Sequence, residues 1–183
     1  MLDQDPKGSI PRTFLLERAL TAFKENYHEN GSLEALDRAI FYCQQGFDEL
    51  SENEMWASCS YPFLQEQCEL LREKAAKTMA IDDSNLCITK IEKKLQYIDK
   101  RRQDDAERQD EYFHCLGELG VASFHQWKIT NDDTDFQASI ALLQQHVEYG
   151  QAYNLEALLT FGVALTVLWG ITEHPEHLES ALT

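Results

Sequence analysis

The chain has 183 residues, 43% of them hydrophobic and only four of them proline, so it is long enough to bury one sizeable core and too apolar to stay disordered. Acidic residues outnumber basic ones 32 to 16, and the formal net charge of −16 repels phosphate backbones and anionic lipid surfaces. Nucleic acid and membrane are therefore excluded as expected partners. After Lys128 there is no Lys or Arg, while carboxylates continue from Asp132 to Glu179; a basic protein or peptide surface suits that end.

Helical punctuation recurs along the chain. A first helix is predicted from about Thr13 to Glu29, stopped by Asn30-Gly31, a pair suited to the left-handed geometry that ends helices. Ser32 then caps a second helix carrying Leu33, Leu36, Ala39, Ile40, Cys43, Phe47 and Leu50, one apolar stripe at three- and four-residue spacing. Ser51 and Glu54 have capping-box spacing and predict a third helix, interrupted near Tyr61-Pro62 and resuming toward Ala80. Asp82, Asp83 and Ser84 form the next capping cluster, ahead of a charged helix from about Asn85 past Arg101, with a break near Asp104-Asp105 left open.

Apolar character returns from Tyr112 to Ile129. Asp133 and Thr134 start the next helix, with Thr134 and Gln137 again at capping-box spacing, and Gly150 ends it. A further helix covers about Asn154 to Trp169, and Pro175 opens a last one, which Thr183 cuts short. The nearly uncharged run from Ala157 to Ile171 is about five residues short of the roughly 20 needed to span a bilayer and has no flanking cation, so it reads as a buried helix. Five cysteines, Cys43, Cys59, Cys68, Cys87 and Cys115, are odd in number and include no C-x-x-C pair. Free thiols and a start without positive charge or an apolar core place the chain in the cytoplasm.

One sequence relation organises these helices. LGELGVASFHQW, from Leu116 to Trp127, aligns with LLTFGVALTVLW, from Leu158 to Trp169; Gly120 matches Gly162, Val121 matches Val163, Ala122 matches Ala164, and each pair is 42 residues apart. The following helix keeps the register, since Phe136-x-x-Ser139-Ile140 aligns with Leu178-x-x-Ala181-Leu182. An earlier copy appears at Leu16, Leu20, Ala22 and Tyr27, followed by Leu36-x-x-Ala39-Ile40. Paired helices repeating every 40 residues or so are the mark of helical arrays, in which neighbouring hairpins bury each other's apolar faces.

With Leu119-Gly120 and Phe161-Gly162 marking first helices, and Ala39, Ser139 and Ala181 opening the packing stripe of second ones, the chain resembles the tetratricopeptide repeat family. Its units are about eight residues longer than the usual repeat of roughly 34, and the longer form is similar to repeat arrays of multidomain fungal proteins. The resemblance implies an all-α fold of stacked antiparallel helix hairpins forming a short right-handed superhelix. An extension over 1–12 precedes a repeat domain over 13–183, with units at about 13–50, 52–108, 110–149 and 154–183.

It also implies a non-catalytic module holding a protein or peptide partner in a concave groove lined by first helices. By register the groove residues are Glu17, Thr21, Lys24, His114, Phe124, Glu156 and Thr166. The Lys, Arg and Asn set of the family's carboxylate clamp is mostly missing. A self-associating scaffold, joined through the apolar C-terminal edge, is the second reading. A small helical enzyme is the third.

Other constellations are weaker. His174 and His177 have spacing for two metal ligands, to which Glu173 and Glu176 could add oxygens, but they read better as polar residues at a helix start. His114 and Cys115 point about 100° apart on a helix, so they do not pair as base and nucleophile. Lys90, Lys93, Lys94, Lys100, Arg101 and Arg102, interleaved with Glu92 and Asp99, read as a solvated helix face, the alternative being that they meet an acidic patch on the same or another chain. No phosphate loop, nucleophile elbow or metal motif is present, so no cofactor and no metal are expected.

Overall fold

The computed structural model describes residues 12–52, 57–100, 106–149 and 155–172. Within them lie seven α-helices and no strand: α1 (Arg12–Asn30), α2 (Leu33–Ser51), α3 (Tyr61–Thr78), α4 (Ile81–Asp99), α5 (Ala106–Thr130), α6 (Asp133–Tyr149) and α7 (Leu155–Thr172), with a 3₁₀ turn, Ala57–Ser60, leading into α3. The all-α expectation holds, and packed helices follow one another in the chain.

Three of the connections are the same device. α1 passes to α2 through Gly31-Ser32, α3 to α4 through Met79-Ala80, and α5 to α6 through Asn131-Asp132. The first residue of each pair is left-handed, with φ of 64° at Gly31, 51° at Met79 and 56° at Asn131. Each donates its backbone N–H to the carbonyl four residues back, at 2.7, 3.0 and 2.7 Å, and the carbonyl of the second residue accepts the first bond of the next helix. The α3–α4 connection, where no repeat signature is visible in the sequence, therefore has the turn of its two counterparts.

Several predicted boundaries move. Ser51 ends α2, its hydroxyl donating back to the Asp48 carbonyl at 3.2 Å, and Glu54 lies outside the described residues. Pro62 does not interrupt a helix; it is the second residue of α3, where a missing N–H costs nothing. α4 begins at Ile81, ahead of the acidic cluster. Thr78 organises that corner by accepting from the Ala80 N–H at 3.3 Å and donating to Asp83 at 2.8 Å. α6 is capped by Asp132, whose carboxylate takes the Thr134 N–H at 2.8 Å, two residues before the predicted Thr134 cap. Gly150, the stretch from Arg101 through Asp104-Asp105, and the helix expected from Pro175 lie outside the described residues.

The contacts divide into two compact units, Met1–Lys74 and Ala75–Thr183, and the division falls inside α3. In the first, Leu16 and Leu20 of α1 contribute to a core with Leu36, Ala39, Cys43 and Phe47 of α2 and Phe63, Leu64, Cys68 and Leu71 of α3. Gly46 lies against the Phe63 ring, where any larger residue would displace it. Leu33, assigned to the stripe of α2, is instead exposed.

In the second unit α5 is the central helix, packed on α4, α6 and α7. Its interior residues Val121 and Phe124 meet Leu143 and Phe136 of α6 and Ala157 and Ala164 of α7. A Cβ at Gly120 would stand 2.7 Å from Leu143 Cγ, so the glycine permits the close approach of α5 and α6 that its place in the repeat suggests. Trp127 packs on Phe136, ring centroids 4.7 Å apart, as a core residue; the side chain of Trp169 is outside the described set.

Candidate functional site

The residues assigned to a groove fall into both units. On α1, Glu17 and Thr21 are exposed, with the Thr21 hydroxyl donating to the Glu17 carbonyl at 2.9 Å, while Lys24 is partly covered and ion-paired with Glu66 of α3. In the second unit His114 is partly exposed, and Glu156 and Thr166 are exposed on α7, with the Thr166 hydroxyl bonded to the Gly162 carbonyl at 2.8 Å. Phe124 is 2% exposed and enclosed by Phe136, Ala164 and Trp127, so it is a core residue with no face for a ligand.

The basic run on α4 requires a correction. Lys94 is not on a solvated face: its side chain is 3% exposed, and Nζ lies 2.7 Å from Glu118 Oε2 on α5, itself 6% exposed. His114 Nε2 stands 3.7 Å from the other Glu118 oxygen. Cys87, Ile91, Lys94 and Ile98 share the buried side of α4, and Glu118 sits in the unbroken buried run from Cys115 to Phe124. A charge on each of two apolar stripes was the available signal. Low dielectric strengthens this attraction, but desolvation opposes it, so the pair fixes which faces of α4 and α5 meet more than it adds stability.

On α6, His146 is buried, with Nδ1 2.9 Å from the Phe113 carbonyl. It fits because Gly117 has no side chain; a Cβ there would come within 2.9 Å of the imidazole. The bond requires Nδ1 to carry the proton and donate it to the carbonyl. The bond ties α6 to the α5 backbone beside an open recess lined by Tyr112 and Phe113 of α5 and Gln144, Gln145, Glu148 and Tyr149 of α6. The Phe113 and Tyr149 rings stack with centroids 5.6 Å apart and planes 27° from parallel, and the Gln144 amide donates to Glu148 at 2.7 Å. The register argument did not identify this recess, because it joins the start of a first helix to the end of a second one.

No disulfide joins the described cysteines, of which Cys43, Cys68, Cys87 and Cys115 are buried and Cys59 is exposed. Burial, with the Glu66 carboxylate adding to it, pushes the Cys43 thiol above its usual range and makes it a packing group. Among the described residues no three metal-ligating side chains converge, and no helix is long and apolar enough to cross a membrane; His174 and His177 lie outside them.

α7 is apolar on both sides. Ala157, Ala164 and Leu165 face the core, while Leu155, Leu159 and Val163, four residues apart, form an exposed stripe. Val163 is 51% exposed, whereas Val121, its counterpart 42 residues earlier, is completely buried beneath α6. No protein-family model, characterised protein or solved structure matches the chain.

Proposed function

We propose that the chain is a non-catalytic interaction module that binds a protein or peptide partner, basic in character, in a reducing compartment such as the cytoplasm. The observation carrying this reading is the open recess between α5 and α6, which combines stacked aromatic rings with a carboxylate on a chain of net charge −16. The finer arrangement, hairpins wound as a right-handed tetratricopeptide-like superhelix with first helices along a groove, belongs to the same proposal. It is supported by the 42-residue register and the thrice-used turn. Pull-down from native lysate tests it: a partner retained by the wild-type chain is lost on Glu156→Lys or Tyr149→Ala, with the helical circular dichroism unchanged. Retention by both variants sinks the reading.

A second reading, self-association through α7, is favoured by the exposed Leu155, Leu159 and Val163 stripe.

A further inference from the structure

Resting on the reading of the chain as a partner-binding module, we infer that the recess between α5 and α6 is a seat for an arginine side chain of the partner. Tyr149 stacks on Phe113 and, 61% exposed, keeps ring surface open for a further flat group. A guanidinium is flat, remains charged, and is weakly hydrated, so it stacks on aromatic faces where an ammonium stays in water. Its remaining N–H groups need acceptors at the rim. Glu148 offers a carboxylate that is already oriented by the Gln144 amide at 2.7 Å, and Gln145 offers an amide oxygen.

The lining contains no cation, and no Lys or Arg follows Lys128 in the sequence. Beside the recess, buried His146 ties α6 to the α5 backbone through the Phe113 carbonyl at 2.9 Å, in space that Gly117 leaves vacant. A stacked ring pair, exposed ring surface on Tyr149 and a positioned carboxylate favour arginine over lysine, and a basic peptide over an acidic or neutral ligand.

Fluorescence anisotropy with a labelled, glycine-spaced arginine peptide, and with its lysine and citrulline counterparts, tests the assignment on the full chain. The arginine peptide is expected to bind at least about fivefold more tightly than the lysine peptide, and citrulline, flat but uncharged, to lose about tenfold. Tyr149→Ala should weaken arginine binding about fivefold and Glu148→Gln about threefold, with melting temperatures unchanged because both side chains are exposed. Glu34→Gln, an exposed change on α2 in the other compact unit, should leave it unaltered.

Equal affinity for lysine and arginine, or an equal loss on Glu34→Gln and Glu148→Gln, would reduce the effect to general charge attraction and overturn the inference. Failure of the arginine peptide to bind would also overturn it. If lysate capture still depended on Glu156 in that case, the interaction module would stand without this seat.

Discussion

At the scale of single residues, the fold contains two kinds of polar group inside its core. Ser139 is fully buried, and its hydroxyl has no hydrogen-bond partner, whereas the repeat-equivalent Ala39 is buried without a polar atom. An unsatisfied hydroxyl carries its desolvation cost uncompensated. Ser139→Ala is expected to raise stability by about 1 kcal/mol, measured as a shift in the urea midpoint at constant slope. Lys94 and Glu118 are the opposite case, because each satisfies the other. Lys94→Met alone leaves Glu118 as a buried charge and should cost about 3–5 kcal/mol, while Lys94→Met with Glu118→Leu should recover most of that. A double variant as unstable as the single one would show that the two charges contribute separately. The sequence shows both residues on apolar stripes, but their pairing spans two helices whose relative rotation only the fold supplies.

At the scale of elements, the helices of the described residues were mostly legible because apolar spacing and stop signals agree over long segments, as with Asn30-Gly31 and the stripe through Ala39 and Cys43. Starts were less legible. Serine and threonine at capping-box spacing suggested entries at Ser51 and Thr134, yet Ser51 bonds backward to Asp48 and the α6 cap is Asp132. Hydroxyl side chains satisfy either end of a helix, so spacing alone does not select the direction. The turn at Met79 was not legible at all, since methionine carries no left-handed preference. That mismatch predicts opposite responses at equivalent positions: Met79→Gly should gain about 1 kcal/mol, and Gly31→Ala should lose about as much. Hydrogen bonds from Thr134, through its hydroxyl and its backbone N–H, hold the Asp132 carboxyl below its usual pKa. Its contribution is thus present above the unfolded carboxylate pKa of about 3.9 and lost as pH falls through the lower folded value. Asp132→Asn keeps a capping oxygen that does not titrate, so the acid limb of thermal stability should flatten relative to wild type.

At the scale of the whole molecule, charge and apolar surface are distributed unequally. A chain of net charge −16 resists approach by its own copies except where a face lacks carboxylates, and α7 provides one: between Leu155 and Thr172 the sole charged residue is Glu156. Leu155, Leu159 and Val163 present about one apolar side chain per turn there, 68%, 62% and 51% exposed. The matching face of α5 is covered by α6, with Gly117, Gly120 and Val121 in contact with His146 and Leu143. A helix apolar around its whole circumference is built for burial on both sides. Self-association through α7 should therefore appear in sedimentation velocity as a concentration-dependent rise in mass, and it should persist at high salt, since the hydrophobic contact is unscreened and repulsion between the acidic copies is weakened. Leu159→Glu or Val163→Glu places a carboxylate in the stripe without disturbing the side of α7 that packs on the core. Either variant should remain monomeric with an unchanged melting temperature. A wild-type chain that stays monomeric at high concentration and high salt would rule out α7 as a homotypic contact and leave the stripe to a different partner.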